Sequence, residues 1–396
     1  MPKLLSASSV LVAVALSYLT LPAVAQNYRF DDLTASGGDR SSAVALNNRG
    51  QIVGNTNFSA AGAVFASEWV GLSAHALATP VPFQAVDIND LGQIAGNVGG
   101  LLGPLSSVGS TARAALLDQS GLTIFNGLQP QAQGSQAKGI NNLGHVIGFA
   151  QTLTPYQGYP SSRTTHATLF SVGSTPIDLG TLGGTNSFGN AVNNLSQAVG
   201  LSTTTGDFNA VPTLWKNGTV TAIPGSFPWS ANDINDHGQT VGNSFRDLTY
   251  LVPGADPILV QVATLFQPNG QAVFLDSTLN LSGASVATAV NEAGAAVGYL
   301  SQNAFGSNLT HGMLWQDGTA IDLNSFLSAT LIGAGWYIKN ANDINDAGWI
   351  VGDLFNSITG AQHGYLLSVA AVPEPSTYGL MIIGGALVVW RRKYRK

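Results

Sequence analysis

Three stretches of this chain set carboxylates and amides close enough to hold a cation: Asp87/Asn89/Asp90, Asp233/Asn235/Asp236 and Asp343/Asn345/Asp346. Each begins Asp-x-Asn and has Gly at the sixth position, as an oxygen-ligand calcium loop does. The fifth position, however, is Leu91, His237 or Ala347, and no acidic residue follows where a later ligand belongs. Turn chemistry is therefore the favoured reading. Asp87, Asn89, Asp233, Asn235, Asp343 and Asn345 are the only calcium candidates that remain.

Other residue types offer less. His166, His311 and His363 head similar segments, "THATLF", "THGMLW" and "QHGYLL". Three imidazoles could converge on a metal, but one position recurring in several repeats is more economically structural. Sugar hydrolysis needs two carboxylates facing one ring, and the body between the two chain ends has two Glu, Glu68 and Glu292. Trp215, Trp229, Trp315 and Trp336 could stack on sugars, although large aromatics mostly bury. Neither Gly-x-Ser-x-Gly nor a phosphate loop is present, and with no cysteine there is no thiolate ligand or nucleophile. No residue is selected as catalytic, and no cofactor is expected.

The elements that must position these residues are repeats. The motif apolar-Asn-x-x-Gly-x-x-apolar-Gly recurs at Asn47, Asn89, Asn141, Asn193, Asn235, Asn291 and Asn345, with Ser196 replacing the first Gly in one copy. The spacings are 42, 52, 52, 42, 56 and 54 residues. Each copy reads as a hairpin, in which Asn bonds the backbone ahead of it and Gly supplies a positive φ. A second strand-turn-strand follows, as in "AVPTLWKNGTVTAI" at 210–223. The unit is thus four strands, the size of one propeller blade.

Strand counting leaves an orphan at each end. After "QHGYLLSVAAV" at 362–372 no partner strand follows, whereas "YRFDDL" at 28–33 matches a fourth strand with no predecessor. Residues 32–47 align without a gap on 178–193. The expected fold is therefore all-β, a seven-bladed β-propeller over residues 26–370 whose N-terminal strand completes the last blade. Tyr28–Leu33 is expected to pair near Gly364–Ser368, since two bare sheet edges would otherwise remain.

The chain ends read as addresses. Residues 1–25 hold one Lys and an apolar run ending Ala23-Val24-Ala25, a secretory signal cleaved after Ala25. At the other end, Pro373, Glu374 and Pro375 precede 14 uncharged residues, 377–390, and a cluster of five Lys/Arg. A helix of that length spans only ~21 Å, so 371–396 forms a short anchor whose basic end stays in the cytoplasm. Residues 26–370 carry nine Lys/Arg against twenty Asp/Glu, a balance that repels nucleic acid.

Two family resemblances follow. "DLGTLGGTNSFGNAVNNLSQAVG", with "THATLF", "THGMLW" and "QHGYLL", resembles the HAF repeat of bacterial extracellular proteins, which implies secretion without a defined activity. The tail resembles the PEP-CTERM sorting signal, which implies an exosortase as partner and an association with exopolysaccharide or biofilm matrix. The expected function is an exported binding or structural module of the cell surface, anchored transiently in the inner membrane through 377–390. The alternative is a carbohydrate-active hydrolase or lyase using loop carboxylates.

Overall fold

The computed structural model describes residues 28–369 apart from 35–39, 58–64, 100–111, 131, 133, 154–163, 208, 225–229, 248–258, 276–282 and 303–308. The signal segment, Ala25, Trp229 and the whole sorting tail, including Pro373, Glu374, Pro375 and the anchor residues, lie outside the described residues. What is described is almost all β. Four-stranded antiparallel meanders occupy 40–76, 83–124, 135–178, 183–222, 231–274 and 283–322; a seventh sheet combines three strands of 336–369 with Tyr28–Leu33. Single parallel bridges, Thr165–Asn186 and Arg40–Gln362, join the third sheet to the fourth and the seventh to the first.

The N-terminal strand Tyr28–Leu33 runs antiparallel to Gln362–Val369, with Tyr28 opposite Val369 and Leu33 opposite Gly364. Asp32 there bonds His363 at 3.0 Å, across 331 residues of sequence. Leu33 is fully buried and packs with Leu46, Trp69 and Leu366. The short first strand is thereby held by backbone pairing, an ion-pair partner and a core side chain together.

Hydrophobic residues on both faces of every sheet explain the architecture, because each sheet must then bury two faces. The core is accordingly divided into seven layers, each between successive sheets. The layer of Leu314, Ile338, Ile350 and Tyr365 joins the sixth sheet to the seventh, and that of Leu33, Ala43, Val351 and Leu366 joins the seventh to the first. Polar clips run beside these layers. Asn55 exchanges two bonds with the backbone of Ala85, Asn97 does so with Ala137, and Asn342 donates to the Ala43 carbonyl at 2.8 Å.

All seven innermost strands carry a bulge two to four residues before the turn Asn. The bulge presses a carbonyl onto the facing strand, which accounts for the last Gly of the motif: a Cβ at Gly148 would overlap the Gln136 oxygen. The first Gly sits at φ between +75° and +80° in six copies, and Ser196 at +57° in the seventh. One feature departs from an all-strand reading of the body. Leu323–Phe326 and Ala329–Gly333 form two short helical turns, capped by Asp322 and Ser328, where the sequence spells a cap before each apolar run.

Candidate functional site

The seven turns assemble around one polar cavity of about 170 Å³. Within each turn the Asn oxygen accepts backbone N–H groups ahead of it; Asn193 Oδ1, for example, accepts from Leu195 and Gln197 at 3.1 and 2.9 Å. Its Nδ2 is then left to point outward. Asn47 Nδ2 donates to the carbonyl of Asn89, Asn89 to Asn141, Asn141 to Asn193, Asn193 to Asn235, Asn235 to Asn291, Asn291 to Asn345 and Asn345 to Asn47, all at 2.9–3.1 Å. The hydrogen bonds form a cycle that returns to its first member.

A second cycle lies on the next residue of each turn. The side-chain oxygens of Asp90, Asn142, Asn194, Asp236, Glu292, Asp346 and Asn48 each accept the N–H of the equivalent residue one turn earlier, at 2.7–2.9 Å. The position calls for an acceptor oxygen, which accounts for its occupation by Asn, Asp or Glu in every copy.

Deeper in, Asp87, Asp233 and Asp343 each bind two backbone N–H groups. One belongs to the following residue; the other comes from the next sheet, Ile140, Val290 and Leu46 respectively. Each carboxyl keeps a small cavity-facing surface and is enclosed by protein elsewhere. Burial pushes Asp343 up to about 7 and Asp233 up to about 6, and Asp87 well above the usual carboxylate range with help from the Asp343 charge. Seven carboxylates line the cavity, and no Lys, Arg or His does. Such a cavity disfavours anions and suits water, neutral hydroxyls or cations.

The calcium reading does not gain from this geometry. The oxygens of Asp87, Asn89, Asp233, Asn235, Asp343 and Asn345 are engaged by backbone N–H groups rather than turned toward a common point. Among the described residues no three carboxylates or imidazoles are placed to hold a metal.

The three histidines stay apart. Each pairs through Nδ1 with an Asp near the end of its own sheet's fourth strand: His166 with Asp178 at 2.7 Å, His311 with Asp322 at 2.8 Å and His363 with Asp32. Donating its Nδ1–H to the Asp322 carboxylate raises His311. Burial alone would raise Asp178 and Asp322, yet their histidines and backbone N–H partners hold both below the usual range. Glu292 belongs to the second cycle and Glu68 to an outer strand opposite His75, so no pair of glutamates faces one space. Trp215 and Trp315 are buried, and Trp336 packs on His363 with ring centroids 4.5 Å apart. The sequence shows the turn asparagines but not the contacts between turns; its only trace of the second cycle is the recurrence of Asn, Asp or Glu after each Asn.

Residues 371–393 match the PEP-CTERM protein-sorting motif. No curated protein matches the chain. Among solved structures, a Trypanosoma rangeli sialidase in complex with the inhibitor DANA is similar at 10% identity over 89% of this chain, with a TM-score of 0.37; the chain spans 57% of that sialidase. A polysaccharide lyase of family PL25, an ulvan lyase, is similar at 10% identity over 84% of this chain and 83% of its own, with a TM-score of 0.31. Both scores are too low to assign a shared fold. The tail match is specific, and it marks the chain as an exported protein sorted by exosortase.

Proposed function

We propose that the chain is a binding or structural module of the cell surface or extracellular matrix, built as a seven-bladed β-propeller of HAF-type repeats. Exosortase removes its tail after transient anchoring through 377–390. The observation that carries the sorting half is the motif at 371–393. Supporting the ring are the cycle of seven asparagine bonds and the pairing of Tyr28–Leu33 with Gln362–Val369, which together leave no unmatched blade among the described residues.

A binding role is favoured over catalysis because the chemically capable groups are already engaged. The cavity carboxylates accept backbone N–H bonds, and the histidines are held by Asp partners. The acidic cavity is also of the wrong sign for anionic polysaccharide, so matrix association would use the outer surface. Two measurements test the proposal. Mass spectrometry of mature protein from producing cells should end near Pro373–Pro375; intact peptides through Trp390 in the medium would overturn the sorting step. Incubation with envelope polysaccharides should give retention without new reducing ends or unsaturated products, and turnover would replace binding with catalysis.

A further inference from the structure

The turn residue two places after each Asn is exposed and differs around the cycle. It is Leu91, Leu143 and Leu195 in three consecutive turns, with 55%, 59% and 63% of their surfaces exposed. Each of these turns is hydrogen-bonded to the next, so the three leucines are neighbours on one face. Three further exposed aliphatic residues lie at the same end of the sheets. Val70 and Leu72 flank a hairpin tip at the same end of the first sheet, since Trp69 lies opposite Ile52; Val172 does so in the third, where Phe170 lies opposite Val146. Aliphatic side chains recurring at loop tips on one end of the sheets are the kind of surface that meets a partner.

The register also fixes where the chain leaves this body. Leu367 is opposite Ile350, just past the seventh turn, and Val369 is opposite Tyr28. Both ends of the described chain therefore lie on the face that bears the turns. Seven residues, 370–376, separate Val369 from the apolar stretch at 377–390, and an extended chain of that length reaches at most ~25 Å.

Resting on the anchoring proposed above, we infer that this face is turned to the lipid surface while the sorting segment is attached. Leu91, Leu143 and Leu195, with Val70, Leu72 and Val172, then meet the headgroup–acyl boundary. The acidic groups around the cavity, Asp90, Asp236, Glu292 and Asp346, weaken this contact on anionic lipid, so it is readily given up. Cleavage of the tail then frees both the patch and the cavity mouth, which the membrane covers in the precursor.

The absence of cysteine makes the test direct. Single variants Leu143→Cys, Leu195→Cys and, at the opposite end of the sheets, Ile358→Cys are made in the full chain and labelled with bimane. They are reconstituted into phosphatidylethanolamine–phosphatidylglycerol vesicles carrying a doxyl-lipid quencher. Probes at 143 and 195 should be quenched and the probe at 358 should not. In a Leu91→Ser/Leu195→Ser background, quenching of the 143 probe should fall about threefold or more as apolar contact is lost. A vesicle-bound chain whose 143 probe remains in water, or is quenched no more than that at 358, overturns the orientation alone. A full chain that stays in solution overturns the anchoring reading and the orientation with it. Burial of the 143 probe without quenching, accompanied by dimer formation, would assign the patch to a second copy instead.

Discussion

Replacing Asp343 by Asn should flatten the pH dependence of stability between pH 5 and 8. Burial pushes Asp343 from an ordinary 3.8 up to about 7. For an acid raised in this way the folded state holds the proton more tightly than the unfolded chain. The stabilisation is complete below pH 3.8, falls steadily as pH rises from there and is gone above about 7. A shift of about three units corresponds to ~4 kcal/mol at 1.36 kcal/mol per unit, and the cavity-facing surface reduces this to ~2 kcal/mol. For the body of 28–369, an unfolding entropy of ~0.7 kcal/mol per degree converts ~2 kcal/mol to ~3 °C. Asn keeps the shape but removes the titration, and leaves Leu46 or Ile344 N–H short of an acceptor. Absolute stability of the variant is therefore uninformative, and the slope is the readout. Differential scanning calorimetry of both proteins at pH 5, 6, 7 and 8 should show wild type losing ~2 °C more than Asp343→Asn, since about two-thirds of the ~3 °C falls within this range. Parallel lines for the two proteins would refute the assignment.

Asn193→Ala should cost about 3 kcal/mol in chemical denaturation, because it removes four hydrogen bonds, three of them buried, including the link to Asn235; a loss below about 1 kcal/mol would show that the cycle is incidental. Gly148→Ala should cost ~3 kcal/mol or more through its overlap with Gln136, whereas Gly71→Ala, with open space around it at φ +63°, should cost only about 1 kcal/mol. Equal effects at the two glycines would contradict the bulge argument. Deleting residues 28–33 should lower the melting temperature well beyond the effect of Asp32→Asn, and should promote association through the uncovered Gln362–Val369 strand. Asp322→Asn should lower the His311 pKa, followed by NMR, since the hydrogen bond it donates to Asp322 is the main cause of its upward shift.

Local geometry was legible in the sequence because its causes lie within about ten residues. An Asn that bonds the N–H four residues ahead, followed by a residue able to take positive φ, specifies the same turn wherever it occurs, Ser196 included. The strand-turn-strand units and the orphan segment "YRFDDL" were legible for the same reason: they are patterns along the chain. What the turns do to one another was decided only by tertiary structure. Asn345 bonds Asn47 across 298 residues, and Asp346 N–H bonds Asn48 Oδ1 across the same span. No spacing in the sequence encodes those distances, which depend on how seven core layers stack. The Asp-x-Asn stretches show the difference most clearly. Their composition suggests a cation loop, yet folding spends both oxygens of Asp87 on backbone N–H groups, one from its own strand and one from the next sheet. Whether a carboxylate is free to bind a ligand is set by which N–H groups the neighbouring sheet brings within 3 Å, a property of the assembled body rather than of ten residues.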